Sequence, residues 1–177
     1  MSNGEEYVPA TRQLVREHLQ RMDPDEFEHF VADLWERFGW QTRVVGEPGD
    51  QVIDVVAHTA DGERQLIQAK RYGPTTTVGS PEVQQYASLR IQTEGPVNQV
   101  TIVTTGEFSD QAEAMASDLD VILVDGGELI GLVEEVEAVE LIAEYFDDIE
   151  LRADVETANS EPADSDGVLS RVRSWFG

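Results

Sequence analysis

The 177-residue sequence contains no cysteine. That excludes a disulfide framework and any thiolate metal site. Lysine is almost absent as well: Lys70 is the single one, and every other cationic side chain is arginine. Bases number 12 against 36 acids, a formal net charge of −24. No apolar run approaches the roughly 18 residues of a membrane span. The first 20 residues carry Glu5, Glu6 and Arg12 without an apolar stretch, so no secretory signal is expected and a cytoplasmic protein is. The three histidines, His18, His29 and His58, lack ligand spacing of the H-E-x-x-H kind and read as surface or packing residues.

The acid is not confined to a tail. Residues 134–166 hold 13 acids and one arginine, but residues 40–133 still hold 14 acids and 5 bases. Such a composition resembles that of proteins working in concentrated cytoplasmic salt, as in extreme halophiles. There the Debye length falls to about 3 Å near 1 M, and self-repulsion costs little. The competing reading is an acidic partner-binding protein in ordinary salt. A negative surface does not exclude a DNA substrate in a halophile. Six phosphate contacts lose about five decades of affinity between about 0.2 and 2 M salt, so a basic patch would be of little use there.

What is present is a periodic, well-punctuated chain. Residues 8–22 predict a helix with Leu14, Val15, His18, Leu19 and Met22 on one side. Asp23, Pro24 and Glu26 mark a second helix start, followed by Phe27, Phe30, Val31, Leu34, Trp35 and Phe38 at helical spacing up to Gly39. Glu28 lies about 20° from Trp35 on this wheel, at the rim of the buried face. Three strands are expected at 40–46, 52–58 and 64–72, with a loop at 73–77. A helix at 80–93 and a strand at 97–104 follow, then a helix from Ser109 to about Asp118. The last elements are a strand at 121–124, a helix entered through Gly126-Gly127, which has no phosphate-loop signature, and a helix at 139–146. This order predicts an α/β three-layer sandwich, a mixed central sheet with flanking helices. The expected division is an N-terminal helical extension (1–22), a main domain (23–136), an acidic helix (137–153), a disordered acidic linker (154–167) and an amphipathic segment (168–177). In that last segment Val168, Leu169, Val172, Trp175 and Phe176 favour docking on a core or partner over fraying or membrane contact.

Lys70 stands in an apolar strand, and lysine is a compact cation whose pKa can move. Gln68 shares its face of the strand. Asp54 joins them only in one hairpin register. A two-residue loop, Asp61-Gly62, sends Asp54 to the opposite face. A three-residue loop, Ala60-Asp61-Gly62, pairs 54 with 68 and puts Gly at the left-handed position. The second is the expectation. Asp54, Gln68 and the Ala69 carbonyl then offer hard oxygen ligands for Mg²⁺ or Mn²⁺, with Glu28 as a second carboxylate. Lys70 would position or deprotonate the attacking water and offset phosphate charge. The alternative for Lys70 is a strand-end cation paired with Asp54 or Glu63. Asp50 reads as a turn residue, and Arg71 and Tyr72 either line a substrate path or cap the strand.

The residues Phe27-Glu28, Gly39-Trp40, Gly49-Asp50-Gln51-Val52-Ile53-Asp54-Val55 and Gln68-Ala69-Lys70-Arg71-Tyr72 resemble the Mrr-type restriction endonuclease domain of the PD-(D/E)xK nuclease superfamily. Val103-Thr104-Thr105-Gly106, Phe108, Ala112 and Leu123-Val124-Asp125-Gly126-Gly127-Glu128-Leu129 extend the likeness over about residues 23–133. The resemblance implies a metal-dependent endonuclease hydrolysing DNA phosphodiesters in restriction, defence or repair. It carries over Asp54, Gln68, Lys70 and Glu28 as site residues, Gln68 standing where most of the superfamily has an acid. Gln51 and Val52 replace the family's usual glycines, and no separate N-terminal DNA-reading domain is expected. Two DNA strands call for a homodimer or a partner subunit. The alternative is an inactive nuclease-fold module that binds DNA or a protein.

Overall fold

The structure, a computed structural model, describes residues 10–45 and 53–145. The order is α1 (Ala10–Arg21), α2 (Pro24–Arg37), β1 (Gln41–Val44), β2 (Val55–His58), β3 (Arg64–Lys70) and β4 (Thr77–Val78). It continues with α3 (Ser80–Ala87), α4 (Leu89–Gln92), β5 (Gln99–Thr104), β6 (Glu107–Phe108), α5 (Asp110–Leu119), β7 (Val121–Val124), α6 (Gly126–Glu135) and α7 (Val139–Glu144). Five strands form one sheet in the order β1-β2-β3-β5-β7. The first three pair antiparallel, and β3, β5 and β7 pair parallel. Two cores result, one on each face. One gathers Phe27, Phe30, Trp35, Ile67, Leu129, Leu132 and Ile142 from α2, α6, α7 and the sheet. The other gathers Val56, Leu66, Val83, Tyr86, Ile102 and Ala112 from α3, α5 and the opposite face. This is the expected mixed sheet between helical layers. Helices α1 and α7 share the first core with α2, through Val15 and Leu19 on one side and Leu141 and Ile142 on the other.

Local signals explain most boundaries. Asp23 caps α2 by accepting from the Asp25 amide at 2.9 Å, and Pro24 opens it. Asp125 and Glu128 close a reciprocal capping box on α6, which adds to the Gly126-Gly127 entry. Two readings needed correction. The helix expected at 80–93 breaks at Ser88 into α3 and α4. There the Ser88 hydroxyl donates to the Gln85 carbonyl at 2.6 Å, a local bond that competes with helix continuation. The loop expected at 73–77 ends in β4, whose Thr77 and Val78 pair parallel with Glu107 and Phe108 of β6. A two-residue strand has no period to read. Asp50, Gln51, Val52 and the segments at 154–167 and 168–177 lie outside the described residues.

Candidate active site

The hairpin between β2 and β3 sets the register on which the site depends. Val55 faces Ile67 and His58 faces Arg64, so Asp54 falls opposite Gln68. The Thr59 amide donates to the Glu63 carbonyl at 3.0 Å, leaving Ala60-Asp61-Gly62 as a three-residue loop. Gly62 has φ +90°, a left-handed conformation that an L side chain resists. The Asp54 backbone is held on both sides: its N–H donates to Ile67 and its carbonyl accepts from Val45. Its side chain therefore projects from a fixed frame.

Asp54 is 8% exposed. One of its oxygens accepts from the Gln68 side-chain amide at 2.5 Å and from the Ala69 backbone N–H at 2.8 Å. Glu28, half-buried on α2, hydrogen-bonds to the same carboxylate. What brings Glu28 there is the anchoring of α2. Trp35, two turns along the same face, donates its indole N–H to Gln65 Oε1 at 2.6 Å, and Gln65 Nε2 donates to Thr101 Oγ1 at 2.7 Å. This buried chain ties α2 to β3 and β5 and fixes where Glu28 reaches. Gln65, Trp35 and Thr101 carried no sequence signal for that role beyond apolar spacing.

Electrostatics follow from crowding acids in a dry place. Burial, with Asp54 and Asp25 nearby, pushes the Glu28 carboxyl up to about 7, against the opposing pull of Lys70. Burial also raises Asp54, against hydrogen bonds from Ala69, Glu28 and Gln68 and the charge of Lys70. Lys70 projects from the end of β3, and its Nζ lies 5.4 Å from the Tyr86 ring centroid. Burial lowers its pKa, but Tyr86, Tyr72 and Asp54 outweigh that and the net shift is upward. The group is thus an ammonium at neutral pH. Its carbonyl accepts from Thr104 Oγ1 at 2.9 Å and from the Thr105 amide at 3.2 Å.

Among the described residues no three His, Asp or Glu side chains converge as a metal cluster. The donor set is two carboxylates and an amide, and one atom in it stands out. Gln68 Oε1 is buried with no hydrogen-bond partner, because its Nε2 is turned to Asp54. A buried acceptor without a donor, beside two acids whose ionisation is suppressed, fits a hard divalent cation.

The other sequence candidates are placed elsewhere. Arg71 Nη1 donates to the Gln20 carbonyl at the end of α1, at 3.2 Å. Tyr72 donates its N–H to Thr105 Oγ1 and its hydroxyl to Glu82 Oε1. Both therefore tie the strand end to its neighbours. His18 is buried with Nδ1 2.8 Å from the Leu14 carbonyl, while His29 and His58 are exposed. No described helix is long and apolar enough to cross a membrane.

Comparison with known proteins agrees with the fold. No curated protein matches the sequence. Among solved structures, a protein of unknown function, AF1548, is 28% identical with a TM-score of 0.56 over 64% of this chain and 66% of that one. The DNA modification-dependent restriction endonuclease AspBHI is 20% identical, TM-score 0.56, over 72% of this chain and 36% of its own. The MspJI restriction endonuclease, solved with a 27-mer oligonucleotide, is 22% identical, TM-score 0.55, over 78% and 35%. At those identities the last two establish a shared fold. The chain spans just under two thirds of the length of AF1548 and little over a third of the two endonucleases. Residues 19–133 match the restriction endonuclease family model of the Mrr catalytic type, which makes this chain a member of that family.

Proposed function

We propose that the chain is a Mg²⁺- or Mn²⁺-dependent endodeoxyribonuclease acting in restriction, defence or repair. The observation that carries this reading is the unpartnered, buried Gln68 Oε1 beside Asp54, with Lys70 on the same face of β3. Asp54, Gln68, Glu28 and the Ala69 carbonyl would hold the cation. When bound, such an ion supplies Lewis-acid activation of water and of the scissile phosphate. The chain's own groups do the rest. Asp54 is oriented by the Ala69 amide. Lys70, kept protonated, places a positive charge where the phosphate gains negative charge, and orients the attacking water by donating a hydrogen bond. Its raised pKa favours that role over proton abstraction. The domain division at 23–136, a cytoplasmic location, a salt-rich cytoplasm and a second subunit for the second strand belong to the same proposal.

Support comes from the family membership and from AspBHI and MspJI, the latter solved on an oligonucleotide. The test is plasmid nicking with Mg²⁺ or Mn²⁺ in molar KCl. Asp54→Ala and Lys70→Ala are expected to lower nicking by about a hundredfold or more. Full wild-type cleavage by either variant would sink the assignment. Calorimetric titration with Mg²⁺ separates the inactive-module reading, which expects DNA or protein binding without heat from the metal.

A further inference from the structure

We infer that Tyr86 is a positioning residue that fixes the Lys70 ammonium over the site. The consequence for catalysis rests on the nuclease reading above; the placement itself does not. A lysine side chain is a flexible four-carbon stem ending in three rotatable donors, and nothing in its own chemistry aims it. Here its Nζ lies 5.4 Å from the Tyr86 ring centroid, inside the roughly 6 Å range of a cation–π contact. The ring is 3% exposed and packs among Val56, Leu66 and Val83, so it cannot swing away.

The helix that carries the ring is tied to the strand that carries the lysine. Tyr72, two residues after Lys70, donates its hydroxyl to Glu82 Oε1 at 3.0 Å, and Glu82 Oε2 accepts from the Gly79 amide at 3.0 Å. Glu82 and Tyr86 stand four apart on α3, on one face of the helix. One carboxylate thus caps α3 and fastens it to the end of β3, setting the distance between the ring and the ammonium. Asp54, which also acts on Lys70, attracts the ammonium from the neighbouring strand. Lys70 is held between the Tyr86 side chain and a carboxylate.

Because Lys70 is the sole lysine, protein labelled with ¹³C at the lysine ε carbon gives one lysine signal. The ring current of Tyr86 is expected to move its ε protons upfield of the free-lysine position in the wild type and in Tyr86→Phe. Tyr86→Leu, of similar volume, returns them to that position. In Mg²⁺-supported nicking, Tyr86→Leu lowers kcat roughly tenfold, the scale of a partly desolvated cation–π contact, and Tyr86→Phe, which keeps the ring and loses the hydroxyl beside Lys70, falls between Tyr86→Leu and wild type. KM for DNA and the heat of Mg²⁺ binding stay at wild-type values, which a general loss of structure would not allow. Should Tyr86→Leu fail to fold, Tyr86→Met takes its place, and the wild-type signal still decides. An unshifted wild-type signal overturns the proposal, as does full kcat in Tyr86→Leu. A wild type that binds no Mg²⁺ and cuts nothing, yet shows the shifted signal, removes the nuclease reading and leaves the placement of Lys70 standing.

Discussion

Glu28 and Asp54 belong to different layers of the molecule, and their meeting has a cost that can be measured. The Glu28 carboxyl is raised from 4.5 to about 7 in the folded protein. Folding therefore favours its protonated form. Below pH of about 4.5 the group is protonated folded or unfolded and costs nothing. Between about 4.5 and 7 the unfolded chain ionises first, so stability falls as pH rises; above about 7 the loss is complete. In metal-free protein, urea denaturation across that window should show Glu28→Gln less pH-dependent than wild type, by on the order of 1 kcal/mol once solvent screening is allowed for. A parallel pair of curves would refute the shift. The Glu28–Asp54 contact was only partly legible. The wheel put Glu28 at the rim of α2's buried face, but the helix-to-sheet approach that brings it to Asp54 depends on the Trp35–Gln65–Thr101 chain, which no local pattern announces.

Elements read differently according to their length. The β2–β3 hairpin was legible because loop length and alternation together fix which side chains share a face, and Gly at position 62 selected the three-residue loop. The β4–β6 pair was not, because it is made by a close approach of distant backbone. A Cβ at Gly106 would lie 2.5 Å from the Thr76 carbonyl oxygen. Gly106→Ala should therefore push the Thr76 strand entry away and destabilise the protein by about 1–3 kcal/mol. Thermal denaturation checks this, and an unchanged midpoint would mean that the approach is slack. The division of 80–93 into α3 and α4 has the same character: the Ser88 hydroxyl bond to Gln85 is a local competitor that helical periodicity passes over.

At the scale of the whole molecule, the net charge of −24 is a statement about solvent. Self-repulsion of this size destabilises the compact state in dilute salt and is screened as salt rises. Stability should increase from about 0.1 to 2 M KCl, by several degrees in Tm, and NaCl should act alike if screening is the cause. A Tm that is flat or falling with KCl would remove the high-salt reading and leave the acidic surface as a partner-facing one. The fold itself is indifferent to this outcome, because both cores are apolar and lie on either side of one sheet.

The amino-acid order by itself determined the main helices and strands, the mixed sheet, the hairpin register and the shared face of Gln68 and Lys70, since each follows from periodicity and turn chemistry within a few residues. Only the tertiary structure decided that α2 delivers Glu28 to Asp54, that Gln68 keeps a buried oxygen without a donor, and that Tyr86 lies beneath Lys70. Those contacts join segments from separate layers, and their geometry is set by how side chains pack rather than by the spacing of residues along the chain.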